Sequence, residues 1–95
     1  MLVGYVRVSS LDQNPDRQLE ELKASKVEKF FVDKVSGKDT ERPELQKMLT
    51  FVREGDTLVV LSLDRLARNL ADLLTLVQEL TGRGVSVRFL HEKLD

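Results

Sequence analysis

The chain has 95 residues, 41% hydrophobic and 33% charged, with a net charge of −1 at neutral pH. That length supports one compact domain, residues 1–95, with a modest core, and the near balance of charge excludes a protein that coats nucleic acid through a uniformly basic surface. No run approaches the roughly 18 apolar residues of a membrane span, and Arg7 interrupts the N-terminus before a signal-peptide core develops, so a cytoplasmic location without a membrane partner is expected.

Residues 2–8 are rich in β-branched and aromatic side chains and predict a first strand. Asn14 before Pro15 predicts an N-cap and the first residue of a helix running to about residue 25, with Leu19 and Leu22 on one face. Residues 30–32 predict a short second strand ending at Asp33. The polar segment 34–42, with Gly37 inside it, predicts a mobile loop ending at Arg42. Pro43 restarts a helix with apolar positions at Leu45, Met48, Leu49 and Val52, which Glu54, Gly55 and Asp56 stop. Residues 57–63 form an almost unbroken apolar run, the pattern of a central strand buried on both faces. Leu66, Leu70, Leu73, Val77 and Leu80 alternate spacings of four and three, predicting one long amphipathic helix closed by Gly82 and Gly84 and followed by a strand over 85–90. Alternating strands and helices predict an α/β fold: a three-layer α/β/α sandwich around a mostly parallel sheet of four to five strands, with right-handed crossovers.

In open parallel sheets, ligand sites lie at the carboxyl ends of the strands. Those ends carry Ser9, Asp33, and Asp64 with Arg65. Period-two alternation puts Tyr5, Arg7 and Ser9 on one side and points Ser10 away. On the predicted long helix Arg65 and Arg68 share a face, and Asp64 stands four residues before Arg68, the favourable order for an ion pair. A serine can displace an alcohol from phosphorus when the phosphoryl oxygens are held and neutralised, and guanidinium forks do both. Each residue also has a plainer reading. Ser9 suits a turn, Arg65 and Arg68 suit a solvated helix face, Asp64 complements a helix dipole, Arg42 is a loop charge, and Gln13, Gln18 and His91 are surface residues. Cysteine is absent and His91 is the only histidine, so neither a disulfide nor a cysteine or multi-histidine metal site is available.

The motifs together are more specific than any one of them. Gly4 to Ser10, then Asp12, Gln13, Asn14 and Gln18, then residues 33–37, Arg42 with Pro43, residues 54–56, and residues 63–68 resemble, in order and over essentially the whole chain, the serine site-specific recombinases of the resolvase and invertase group. The resemblance implies that Ser9 is the nucleophile that attacks a DNA phosphodiester, giving a 5′-phosphoserine link and a free 3′-hydroxyl. It implies that Arg7, Arg65 and Arg68 hold the scissile phosphate, that Arg42 is a further active-site arginine, and that Asp64 is an active-site acid. Gln13, Gln18 and Asp33 fall on supporting positions. No metal or cofactor is then expected, because cations aimed at the non-bridging oxygens stabilise the transition-state charge, and the serine ester conserves the bond energy needed for rejoining. The group that takes the serine proton stays open among an arginine, Asp64 and water.

Family members continue into a long helix for dimerisation and a helix-turn-helix domain, whereas this sequence stops at Asp95. The expectation is therefore a catalytic core that acts on double-stranded DNA; the full-length protein forms a homodimer and a synaptic tetramer, and the isolated domain is monomeric or weakly associating. The competing classes are a receiver-like α/β regulatory domain using Asp33 or Asp64, and a small phosphatase or hydrolase. The first needs clustered acids for Mg²⁺, which the arginines beside Ser9 oppose, and the second lacks a histidine base or metal cage.

Overall fold

The first strand, β1 (Leu2–Ser9), is buried on both of its faces. Val3 and Tyr5 enter one core and Val6 and Val8 the other, as the two-residue repeat of a strand requires. The computed structural model describes residues 1–9, 15–35, 42–67 and 69–91, with Ser9, Pro15 and Val35 described by backbone alone. After β1 come α1 (Pro15–Ala24), β2 (Lys29–Val35), α2 (Pro43–Phe51), β3 (Thr57–Val60), α3 (Leu63–Leu66), α4 (Leu70–Gly82) and β4 (Ser86–Phe89).

The four strands are all parallel in the order β2-β1-β3-β4. Leu58, Val59 and Val60 of β3 are fully buried, which fits the predicted central strand. Helices α2 and α4 cover one face, where Leu45, Met48, Val52, Leu73, Leu76 and Leu80 meet Val3, Tyr5, Leu58 and Val60. Helix α1 covers the other through Leu19 and Leu22, against Val6, Val8, Val59 and Leu61. The three layers are those the alternation of elements predicts. Gly4 permits the close approach of α1, since a Cβ there would lie 2.9 Å from Val27 Cγ1.

Two registers position the site. β1 pairs with β2 along seven residues, from Val3 opposite Lys29 to Ser9 opposite Val35. With β3 it pairs only from Leu2 to Gly4. The strand order reverses between β1 and β3, where the chain of an open α/β sheet opens a crevice, and the short register leaves room there for α3.

Three elements differ from the sequence-based expectation. Strand β2 runs to Val35, because pairing with the far half of β1 carries it past Asp33 into the predicted loop. Strand β3 stops at Val60, and Leu63 opens a helix. The single long helix is two helices: Ala67 and Asn69 both have extended backbone, and the Asn69 side chain caps α4 by accepting from the Asp72 N–H at 2.8 Å. Leu70, predicted in the apolar stripe, is consequently 69% exposed at the first position of α4. Asn14 and residues 36–41, where a mobile loop is expected, lie outside the described residues. Among the described residues no helix is long and apolar enough to cross a membrane.

Candidate functional site

At the carboxyl end of β1, Arg7 is half buried on the face that Tyr5 shares, as strand alternation predicts. It donates through Nη2 to the Asp64 carbonyl at 2.6 Å, while Arg65 donates through Nη1 to the Arg7 carbonyl at 2.9 Å. This reciprocal pair bolts α3 to a stretch of β1 that β3 no longer accompanies. Two residues further along β1 the strand ends at Ser9, whose backbone sits opposite Val35.

Asp64 is exposed and its carboxylate accepts a hydrogen bond from the Ser62 hydroxyl at 2.5 Å. That bond, together with the Arg65 and Arg7 charges, holds the acid below the usual carboxylate range. Arg68 lies outside the described residues. The expectation that Arg65 and Arg68 share one helix face does not survive, because α3 ends at Leu66 and Ala67 is extended. Nor does the sequence order around Asp64 serve a helical ion pair, since no helix spans residues 64 to 68.

A second cluster stands on the same sheet face. Arg42, expected in a mobile loop, occupies the position just before α2. Its Nε donates to the Tyr5 hydroxyl at 3.1 Å, its guanidinium lies over the Tyr5 ring at 5.3 Å from the centroid, and its Nη2 donates to the Leu66 carbonyl. Tyr5 in turn donates to Asp33 Oδ2 at 2.8 Å. Asp33 is only 3% exposed and caps α2, with Oδ1 accepting from the Glu44 N–H at 2.9 Å and Oδ2 from the Leu45 N–H at 3.0 Å. Pro43 at the start of α2 has no N–H to satisfy, so these are among the first donors the helix leaves open. Burial of the Tyr5 phenol pushes its pKa up to about 12, against a smaller opposing effect of the Arg42 hydrogen bond.

Gln18 lines a cleft of about 180 Å³ between α1 and the turn after β3, together with Arg17, Ser62, Asp64, Arg65 and His91. Its Oε1 is buried and accepts no hydrogen bond among the described residues. His91 pairs with Glu21 at 2.6 Å and is half exposed, a rim position. Gln13 lies outside the described residues. The geometry thus gathers Arg7, Asp64 and Arg65 around the strand end that carries Ser9, puts Gln18 on the adjoining cleft, and ties Arg42 and Asp33 into a neighbouring network. Sequence reasoning assigned no role to Tyr5 or Ser62. For Tyr5 the available signal was a phenol on the buried face of a strand, which needs a partner for its hydroxyl.

A crevice at a strand-order reversal, with guanidinium groups beside a strand that ends in serine, defines an open parallel α/β domain with a cationic site at its strand ends. The family described as "Resolvase, N terminal domain" matches residues 2–95, and this chain belongs to it, the resolvase and invertase family of serine recombinases. The Transposon Tn501 resolvase of Pseudomonas aeruginosa is 66% identical over 92 residues, covering 97% of this chain and 48% of the relative. A DNA-invertase of Enterobacteria phage P7 is 50% identical over 95 residues, covering 100% of this chain and 51% of the relative. The solved C-terminal catalytic domain of an IS607-like serine recombinase superposes with a TM-score of 0.77 at 25% identity, covering 99% of this chain and 69% of that one. The chain spans about half the length of the curated relatives it matches. A receiver-like site on Asp33 is opposed by the fold itself, because both oxygens of Asp33 are committed to α2.

Proposed function

We propose that this chain is the catalytic domain of a serine recombinase that cuts and rejoins double-stranded DNA. The Ser9 Oγ attacks phosphorus, the bond from phosphorus to the 3′ oxygen breaks, and that oxygen leaves as a 3′-hydroxyl with a proton, while the 5′ phosphate stays on Ser9. The reverse displacement by a 3′-hydroxyl of the exchanged strand restores the DNA and the free serine, with no net change in the number of ester bonds. Arg7, Arg65, Arg68 and Arg42 hold the phosphoryl oxygens, and each such contact is worth on the order of 10²–10³ in rate. Asp64, held charged, is a weak base, and its role in this scheme is to organise the turn that carries Arg65. Gln13 and Gln18 are read as polar groups bordering the DNA strand, and Asp33 as support for Arg42.

The observation that carries this reading is the reciprocal bonding of Arg7 and Arg65 beside the strand that ends at Ser9. Residues 1–95 act, on this proposal, within a longer cytoplasmic protein whose further sequence supplies a dimerisation helix and DNA recognition. Strand exchange belongs to a synaptic tetramer made of two dimers, while this domain alone is monomeric or weakly associating. Incubating the full-length protein with a nicked DNA substrate that cannot rejoin, followed by peptide mapping, is the test. A covalent adduct on Ser9, lost in Ser9→Ala with DNA binding retained, is expected; an adduct that persists in Ser9→Ala refutes the assignment.

A further inference from the structure

Tyr5 has no exposed surface, yet its hydroxyl makes two hydrogen bonds, donating to Asp33 and accepting from Arg42. We propose that Tyr5 is a positioning residue of the active site, its hydroxyl setting the orientation in which Arg42 presents its guanidinium to the scissile phosphate. The inference rests on the recombinase reading above.

A phenol has one proton, and Asp33 takes it, because a carboxylate can only accept. The lone pair left over faces Arg42, and its Nε–H is the donor that answers it. The ring face fixes the plane of the guanidinium and the Leu66 carbonyl fixes Nη2. Among the described residues nothing engages Nη1, so the tethered group is left with a free edge of two N–H donors. An arginine on a flexible stem would otherwise sample many rotamers. Here three contacts from β1 and α3 select one of them.

The same geometry separates orientation from stability. Asp33 Oδ2 keeps the Leu45 N–H when the tyrosine hydroxyl is removed, and Oδ1 keeps the Glu44 N–H, so Tyr5→Phe preserves the cap of α2 and the ring under Arg42. It deletes the acceptor for Nε and one of the three hydrogen bonds that Asp33 accepts.

The experiment is a double-mutant cycle in the full-length protein, reading the single-turnover rate of Ser9 adduct formation on the nicked substrate for wild type, Tyr5→Phe, Arg42→Ala and the pair. Expected are a rate loss of about tenfold or more for Tyr5→Phe, in line with the price of misplacing a catalytic group, DNA affinity within twofold of wild type, and no further loss when Tyr5→Phe is added to Arg42→Ala. A wild-type rate in Tyr5→Phe, or losses that multiply in the pair, overturns the inference while leaving the Ser9 assignment standing. Failure of the wild-type protein to form any Ser9 adduct overturns the recombinase reading and this inference with it. An independent readout is the Arg42 Nε–H resonance of the 95-residue chain: slow solvent exchange in wild type and fast exchange in Tyr5→Phe are expected, and equal exchange in both overturns the inference.

Discussion

Arg65 bonds to Arg7 through the backbone rather than in spite of its charge. The Nη1 of Arg65 reaches the carbonyl of Arg7, and the Arg7 guanidinium reaches the carbonyl of Asp64 in exchange, so two cations are held side by side by the negative ends of two peptide dipoles. Replacing Arg7 by lysine keeps the charge and forfeits the fork. Arg7→Lys in the full-length protein should slow covalent adduct formation on the order of 10²–10³, measured as a single-turnover rate, with binding affinity changed far less.

Asp33 carries a structural load of a different kind. Asp33→Ala removes two bonds to the first open N–H groups of α2 and leaves the buried Tyr5 O–H donor without its acceptor. A loss of about 2–4 kcal/mol in unfolding free energy is expected from the lost cap and the unsatisfied phenol, read as a lower urea midpoint.

The chain contains a single tyrosine, so absorbance of tyrosinate near 295 nm reports Tyr5 alone. Its folded pKa of about 12 lies above the ordinary 10.0. A group raised in this way contributes stability that is whole below the unfolded value and is lost as pH climbs through the folded one. Denaturant midpoints should therefore fall between pH 10 and about 12 as tyrosinate appears, and Tyr5→Phe should flatten that decline.

The opposite sign holds for Asp64. Its folded pKa is lowered, first by the Ser62 hydroxyl, so its contribution is present above the unfolded value and is lost as pH falls through the folded one. Ser62→Ala should move the Asp64 carboxyl titration, followed by NMR, upward toward the usual acid range. The accompanying change in acid stability is small, because the group is exposed and screened.

Strand positions were legible because burial on both faces writes itself as continuous apolar runs, as in residues 57–60. The convergence of Arg7, Asp64 and Arg65 was legible too, since strand ends in parallel sheets meet on one side. The cap on α2 was not, because its acceptor, Asp33, comes from another element ten residues before Pro43 and no local motif announces it. The break between α3 and α4 was hidden by leucine spacing that runs unbroken across Ala67, although Asn69 three residues before Asp72 is a helix-start signal. Apart from the family resemblance, Arg42 reads as a loop charge for the same reason that Tyr5 goes unassigned: the contact between them exists only once β1 and the start of α2 lie side by side.

The unequal registers of β1 give it the mechanics of a cantilever. Its root, Leu2 to Gly4, is clamped by strands on both flanks, whereas the tip that ends in Ser9 has a strand neighbour only in β2, with the Arg7 and Arg65 side chains as stays. The open flank of the tip is therefore braced through those two side chains, which carry it onto α3 where β3 no longer runs beside it.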